Sequence, residues 1–241
     1  YFNVPNFLIL DTSSLLCSVS MANGDNIIWS ESEISETGFC HSEYLHLLIK
    51  RCIEKTFGKS KSAVKEISAV ALAGGPGSYT GLRIGASAAK GLALPLGIPL
   101  ISYSTLEALA YASKNSISSN LKIDAFWSAM DARRNEIYCS LFSNDFNRIT
   151  EDSPFILDKT PIPDLWSNYK NVYASGDGVE KAKDYWPTLI DSGIRFSEAK
   201  HGISLVLNAW RKKEFVNLES WTPNYLKKFR PGSPKFGLPA S

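Results

Sequence analysis

Apolar residues fall along the chain in short runs and helical stripes that follow one another in a regular order. Phe7–Leu10 is a continuous apolar run, read as a buried strand, and it passes into the polar turn Asp11-Thr-Ser-Ser14. Cys17–Met21 alternates apolar and polar residues and reads as a second strand. Asn23-Gly24 is a strong hairpin signal, with Ile27–Ser30 as the returning strand. Glu31–Cys40 is polar and reads as a loop. From His41 to Phe57, Leu45, Leu48, Ile49, Cys52 and Ile53 recur at helical spacing, and Gly58 stops the helix. A short helical turn over Ser62–Glu66 precedes a strand over Ile67–Leu72. That strand runs into Gly74-Gly-Pro-Gly77, where no regular element persists. A helix follows, capped by Ser78 or Thr80 and ended by Pro95 and Gly97; then come a strand over Ile98–Tyr103 and a helix over Thr105–Ser113.

A Ser/Asn-rich loop, Asn115–Asn120, separates a second unit. Ile123–Met130 and Ile137–Phe142 read as strands joined by the charged turn Asp131–Glu136, and the proline-bearing stretch Ser153–Leu165 reads as connection. Asn171–Ala174 reads as a strand ending at Ser175-Gly-Asp-Gly178, with helices over Val179–Tyr185 and Ile203–Lys213 and a Pro/Gly/Ser-rich end read as mobile. Each unit places a strand pair before a helix. This predicts an α/β protein of two related lobes with mixed sheets, divided as 1–104 and 105–241, with the helix near 203–213 packing back.

The chain has 241 residues, 44% of them hydrophobic, which is enough to bury a real core, and a net charge of +2. The charge is uneven: Ala209–Ser241 carries seven basic and two acidic residues, so a basic tail could meet RNA phosphates or could simply keep the end solvated. Cys17, Cys40, Cys52 and Cys139 form no CxxC pair and read as reduced thiols of a cytoplasmic protein. No apolar run is long enough for a membrane span, and no signal peptide is evident. Because the sequence opens on Tyr1 and not Met, the native start is expected to be trimmed or replaced.

Two features of Ala69–Pro95 compete for function. Backbone N–H groups of a glycine turn at a helix start can hold an anion, with Gly75, Gly77 and Ser78 as candidates and Asp11 and Thr12 beside them; the alternative is a turn that serves only to bring strand and helix together. It lacks the Gly-Lys-Ser/Thr of a P-loop, and Thr80 stands where the third glycine of a dinucleotide fingerprint belongs. The helix behind it carries Gly81, Gly85, Ala88, Ala89 and Ala93 at helical spacing. A helical glycine costs about 1 kcal/mol relative to alanine, so the row implies a close neighbour, inside the chain or on a second one. His41 and His46 lie on diverging helix faces and His201 is remote; no metal-binding pattern or GxSxG elbow appears. Asp131, Arg133 and Arg134 could clamp an anion or merely charge a hairpin turn.

The run Gly74-Gly-Pro-Gly-Ser-Tyr-Thr-Gly-Leu-Arg-Ile-Gly85, with Ala88–Gly91 after it, resembles the signature of the TsaB (YeaZ) family of bacterial tRNA threonylcarbamoyladenosine biosynthesis proteins. Ile9-Leu-Asp-Thr-Ser13, His41-Ser42, Ser104–Leu109, Asp131-Ala-Arg133, Glu136-Ile-Tyr138 and Pro223-Asn-Tyr-Leu226 fall in the family's order, so the likeness spans nearly the whole chain. The resemblance implies two ribonuclease-H-like lobes of the actin/Hsp-seventy/sugar-kinase (ASKHA) type. It also implies a non-catalytic subunit that supports the transferase TsaD, which moves threonylcarbamoyl to the adenosine beside the anticodon of tRNAs reading A-starting codons. TsaD holds a metal with an HxxxH motif; the corresponding positions here are Thr105 and Leu109. The family further implies pairing with TsaD, or with itself when isolated, through the first-lobe helices, with a TsaE-type ATPase joining and with ATP and Mg expected at the partner subunits. Carried onto this chain, the partner-binding residues are His41, Tyr44, Leu45 and Leu48 on one helix, and Thr80, Gly81, Arg83, Ile84, Gly85, Ala88 and Ala89 on the other. Asp11, Thr12, Gly75, Gly77 and Ser78 become a vestigial nucleotide site. A leucine at Gly85 is then expected to break association while leaving the subunit folded. Three rival readings stand beside this one: a glycoprotease-like metallopeptidase, an ASKHA-type ATP-binding protein, and a direct RNA binder through the basic tail.

Overall fold

Strand β1 (Asn6–Asp11) is apolar on both faces because helices cover both sides of the sheet it centres. It pairs antiparallel with β2 (Leu16–Asn23), which pairs antiparallel with β3 (Asn26–Ile34); on its other edge it runs parallel to β4 (Ala69–Ala73), and β4 to β5 (Leu100–Tyr103). The first sheet is thus ordered β3-β2-β1-β4-β5. In the computed structural model, which describes residues 4–34, 40–117, 121–157, 166 and 168–227, a second sheet repeats this order strand for strand. There β6 (Ala125–Asp131) takes the place of β1, β7 (Glu136–Ser143) and β8 (Ser153–Ile156) form its antiparallel side, and β9 (Val172–Ser175) and β10 (Ile190–Asp191) its parallel side. The two related lobes expected from the pattern are present as one topology used twice, the mixed five-stranded arrangement of the ribonuclease-H-like lobe.

Helices α1 (Cys40–Phe57) and α2 (Tyr79–Leu96) lie side by side on one face of the first sheet, over Leu8, Leu10, Val19, Val70 and Leu72. The opposite face is covered by α3 (Thr105–Ser116) and by α5 (Ile203–Lys212), which returns from the far end of the chain to set Val206 against Phe7 and Ile9. Helix α3 stands between the lobes: Ala108 faces the first sheet, while Leu106, Leu109 and Ala110 meet Phe126, Met130 and Phe142 of the second. The short helix α4 (Val179–Ala182) closes the second lobe, whose core is built on Trp127, Trp166 and Trp186.

Four elements depart from the sequence reading. Strand β3 continues through Glu31–Ile34, which reads as loop because its side chains are polar on a partly exposed outer strand. The connection after β7 contains β8, an edge strand that tolerates Pro154 because it pairs on one side only. Strand β10 has two residues, too few to show a period. Helix α2 passes through Pro95 and ends at Gly97, which caps it in the left-handed conformation at φ 65°; so close to the end, the missing proline N–H costs a single backbone bond. Cys17, Cys52 and Cys139 are buried and in no disulfide, and the side chain of Cys40 lies outside the described residues, as does the basic end from 228 onward.

Candidate functional site

The glycine turn is a place of close approach. A Cβ on Gly77 would lie 2.3 Å from the carbonyl oxygen of Ser13, and one on Gly74 would lie 2.0 Å from Ser102 Oγ. Gly75, at φ 107° and followed by a cis peptide to Pro76, is covered by the backbone of Asn224, 2.9 Å from where its Cβ would stand. Two of the turn's N–H groups are already used: Gly74 donates to Tyr103 O (2.8 Å) and Ser78 to Ser13 O (2.7 Å). Ser78 is the cap of α2, its hydroxyl accepting from Gly81 N, so the serine and not Thr80 starts the helix. Of the residues proposed from sequence as an anion site, the fold brings Asp11, Thr12, Gly77 and Ser78 together around the β1–β2 turn and seals Gly75 beneath Asn224.

Asp11 is fully buried at the end of β1. Its Oδ1 accepts from Ser13 N (3.0 Å) and Ser13 Oγ (2.6 Å), while Oδ2 has no hydrogen-bond partner among the described residues. Burial pushes the carboxyl up to about 6, against the Ser13 bonds that pull it down. His41 is packed into the same turn and donates from Nε2 to Ser14 O (2.7 Å), and burial lowers its pKa, so the ring is a neutral structural contact.

The small-residue face of α2 is consumed inside the chain. A Cβ on Gly81 would meet Thr12 O at 2.1 Å, and one on Gly85 would meet Thr12 Oγ1 at 2.3 Å and Leu72 at 3.0 Å; Thr12 Oγ1 in turn donates to Gly81 O (2.8 Å). Ala88 and Ala89 are buried against the first sheet, as are Leu45 and Leu48 of α1, while His41 is buried at the β1–β2 turn. This corrects the expectation that Gly81, Gly85, Ala88 and Ala89 form the working surface: their smallness admits the β1–β2 turn, and a leucine at Gly85 would disrupt the fold before it could test an interface. Of the residues assigned to a partner from sequence, Tyr44, Thr80 and Arg83 are exposed and Ile84 is half-buried. Two apolar residues that the sequence did not assign to the partner surface also face outward from this helix layer, Leu47 (52% exposed) and Leu94 (69%). Leu47 lies off the periodic core stripe of α1, and that offset was its signal.

In the second lobe the equivalent turn, between β6 and β7, is open. Asp131 ends β6 and accepts from Lys181 Nζ (2.6 Å) and Arg133 N (2.6 Å). Arg133 and Arg134 close the hairpin at φ 66° and 54°, both exposed. The segment Trp221–Lys227 straps the two lobes together. Asn224 N donates to Gly74 O (2.8 Å), Lys90 Nζ donates to Trp221 O (2.7 Å), and Lys227 pairs with Glu136 and donates to Ala132 O (3.3 Å).

Thr105 and Leu109 are buried in the first turns of α3. No group of three His, Cys, Asp or Glu side chains is placed to hold a metal ion among the described residues. Likewise no described helix is long and apolar enough to cross a membrane. A family model described as TsaD, tRNA N6-adenosine threonylcarbamoyltransferase, matches residues 40–159. The tRNA threonylcarbamoyladenosine biosynthesis protein TsaB of Escherichia coli (strain K12) is 33% identical over 229 residues, covering 91% of this chain and 94% of its own length. The chain belongs to the TsaB family. A second TsaB, from Haemophilus influenzae, is 26% identical over 91% of this chain and 92% of its own length. Similarity to a tRNA N6-adenosine threonylcarbamoyltransferase of Bartonella bacilliformis reaches 37% but covers 35% of this chain and 25% of that protein. The solved YeaZ of Pseudomonas aeruginosa superposes with a TM-score of 0.76 at 24% identity, over 92% of this chain and all of that one, which shows a shared fold. For a TsaB-family chain, the strap over the glycine turn gives the Pro223-Asn-Tyr-Leu226 stretch a structural task that its sequence alone did not disclose.

Proposed function

We propose that this chain is a non-catalytic, scaffolding and activating subunit in tRNA threonylcarbamoyladenosine synthesis, supporting a TsaD-type transferase, with a TsaE-type ATPase joining the pair and ATP and Mg bound at those partners. The observation that carries the reading is at the start of α3. Where the transferase resemblance calls for a metal-binding histidine pair, the chain has Thr105 and Leu109, neither of which offers a ring nitrogen, and both are buried between the lobes. The chain therefore contributes surface, and the surface best suited is the outer side of the α1–α2 layer, where Tyr44, Leu47 and Leu94 leave apolar area in water. A second copy could occupy the same face when the transferase is absent.

Reconstitution tests this directly. Threonine, bicarbonate, ATP and tRNA are combined with the transferase and the ATPase, with and without this chain, and modified adenosine is measured. The chain is expected to raise the yield strongly while giving none alone; equal yields without it would end the proposal. The exposed pair L47E/L94E is expected to fold and to lose co-purification with the transferase, and retained co-purification would move the interface elsewhere.

A further inference from the structure

A row of basic and aromatic residues in successive contact, hereafter the ridge, crosses the seam between the lobes, and its chemistry is not used by the helix-face association. At one end Arg83, on the first turns of α2, lies over the Tyr79 ring at 5.3 Å. Tyr79 stands against Tyr225 of the strap, ring centroids 5.0 Å apart, with Tyr225 36% exposed. Two residues further on, Lys227 donates to Ala132 O at the base of the β6–β7 hairpin and lies over Tyr138 at 5.4 Å. The hairpin tip then presents Arg133 and Arg134. Lys181 and Lys227 are neutralised by Asp131 and Glu136, but no carboxylate pairs with Arg83, Arg133 or Arg134 among the described residues.

The hairpin tip itself indicates selection for charge. Both arginines sit at positive φ, where glycine or asparagine is the unstrained choice and any other L side chain is penalised. A strained backbone carrying two exposed guanidiniums, neither paired with a carboxylate among the described residues, is the pattern of a functional position. Guanidiniums that reach into solvent, together with the exposed ring of Tyr225 and the half-buried rings of Tyr79 and Tyr138, match the two components of RNA: charged phosphates, and unstacked bases that lie on aromatic faces.

We propose that this ridge, from Arg83 across Tyr79 and Tyr225 to Arg133 and Arg134, binds the backbone and unstacked bases of a folded RNA. The proposal rests on the reading of the chain as part of a tRNA-handling assembly. An acidic protein segment would also meet the guanidiniums, but it has no use for the paired tyrosine faces.

The test is fluorescence anisotropy of a labelled, unmodified tRNA transcript titrated with the full chain between about 50 and 200 mM salt, the range over which phosphate neutralisation dominates. Replacing both arginines, R133A/R134A, is expected to weaken binding about tenfold at the lower salt and to reduce the slope of log affinity against log salt by about 2, one for each phosphate no longer neutralised. The lysine pair R133K/R134K should retain most of the slope. The glycine pair R133G/R134G suits the positive φ, so it should lose binding like the alanine pair while its unfolding midpoint holds or rises; loss of binding then cannot be loss of fold. Unchanged affinity and slope in the alanine pair would overturn the proposal. So would a transcript that the wild-type chain fails to bind, or an alanine pair R133A/R134A that keeps tRNA binding but loses co-purification with the transferase. A failed reconstitution with intact tRNA binding would count against the subunit role and leave the ridge standing.

Discussion

The β1–β2 turn and the β6–β7 turn occupy the same place in two sheets of identical order, yet one is buried and the other is open. Both begin with an aspartate at the end of the central strand. Asp11 is sealed under α2 and partnered by Ser13, and one of its oxygens has no partner among the described residues; Asp131 faces solvent and shares its charge with Lys181. The difference comes from the helix behind each turn. In the first lobe the turn before α2 offers Gly77 and the helix itself Gly81 and Gly85, which let the backbone and first turns close onto Ser13 and Thr12. In the second lobe α4 is a single short turn and leaves the hairpin tip uncovered. One topology thus yields a rigid, desolvated turn that anchors a helix layer and an exposed turn free to carry charge.

Filling the first turn should have the largest effect. Gly81→Ala places a Cβ 2.1 Å from Thr12 O, and the expected destabilisation is about 3 kcal/mol or more. Gly91→Ala on the same helix meets open space and is expected to gain up to about 1 kcal/mol. Urea denaturation of the two variants measures the contrast, and equal effects would mean that Gly81 has room.

Charge at the buried aspartate comes next. Its folded pKa of about 6 lies above the ordinary 3.8, so the fold favours the protonated form. That contribution is fully present below pH 4 and is lost as pH rises through 6, amounting to about 3 kcal/mol by the shift. Asp11→Asn keeps an acceptor for Ser13, should flatten this decline, and should raise stability at pH 8 by up to about 3 kcal/mol while changing little at pH 4. Denaturant midpoints across that range decide it; a wild-type protein as stable at pH 8 as at pH 4 would show Asp11 to be solvated.

The smallest effect is expected from Asp131→Asn. The pair with Lys181 is partly exposed, and asparagine still accepts from Arg133 N, so the change should stay under about 1 kcal/mol and shrink with added salt. A loss as large as that at Gly81 would mean the two turns are not opposites after all.

Much of this architecture is visible in the residues themselves. Apolar runs such as Phe7–Leu10 and Val70–Leu72 announce central strands because both faces must be dry, and Ser78 announces a helix start because its hydroxyl replaces a missing backbone partner. The direction in which the small face of α2 points was not visible. Glycine spacing says that something comes close, and only the register of β1 against β4 shows that it is Thr12 of the same chain. Leu94 had the opposite problem, since one apolar residue near a helix end looks the same in a sequence whether it is buried by a distant segment or left in water. Asn224 over Gly75 joins residues 149 apart, which no local pattern can report.

The return of α5 and the strap has a consequence for synthesis. The first sheet is laid down early, but one of its faces is covered by Val206 and Trp210, and its glycine turn is closed by Asn224. While the ribosome is still making the second lobe, Phe7, Ile9 and Ala71 therefore wait with only the α3 part of their cover made. The amino-terminal half cannot fold to completion in the order in which it emerges; the lobe that begins the chain is finished last.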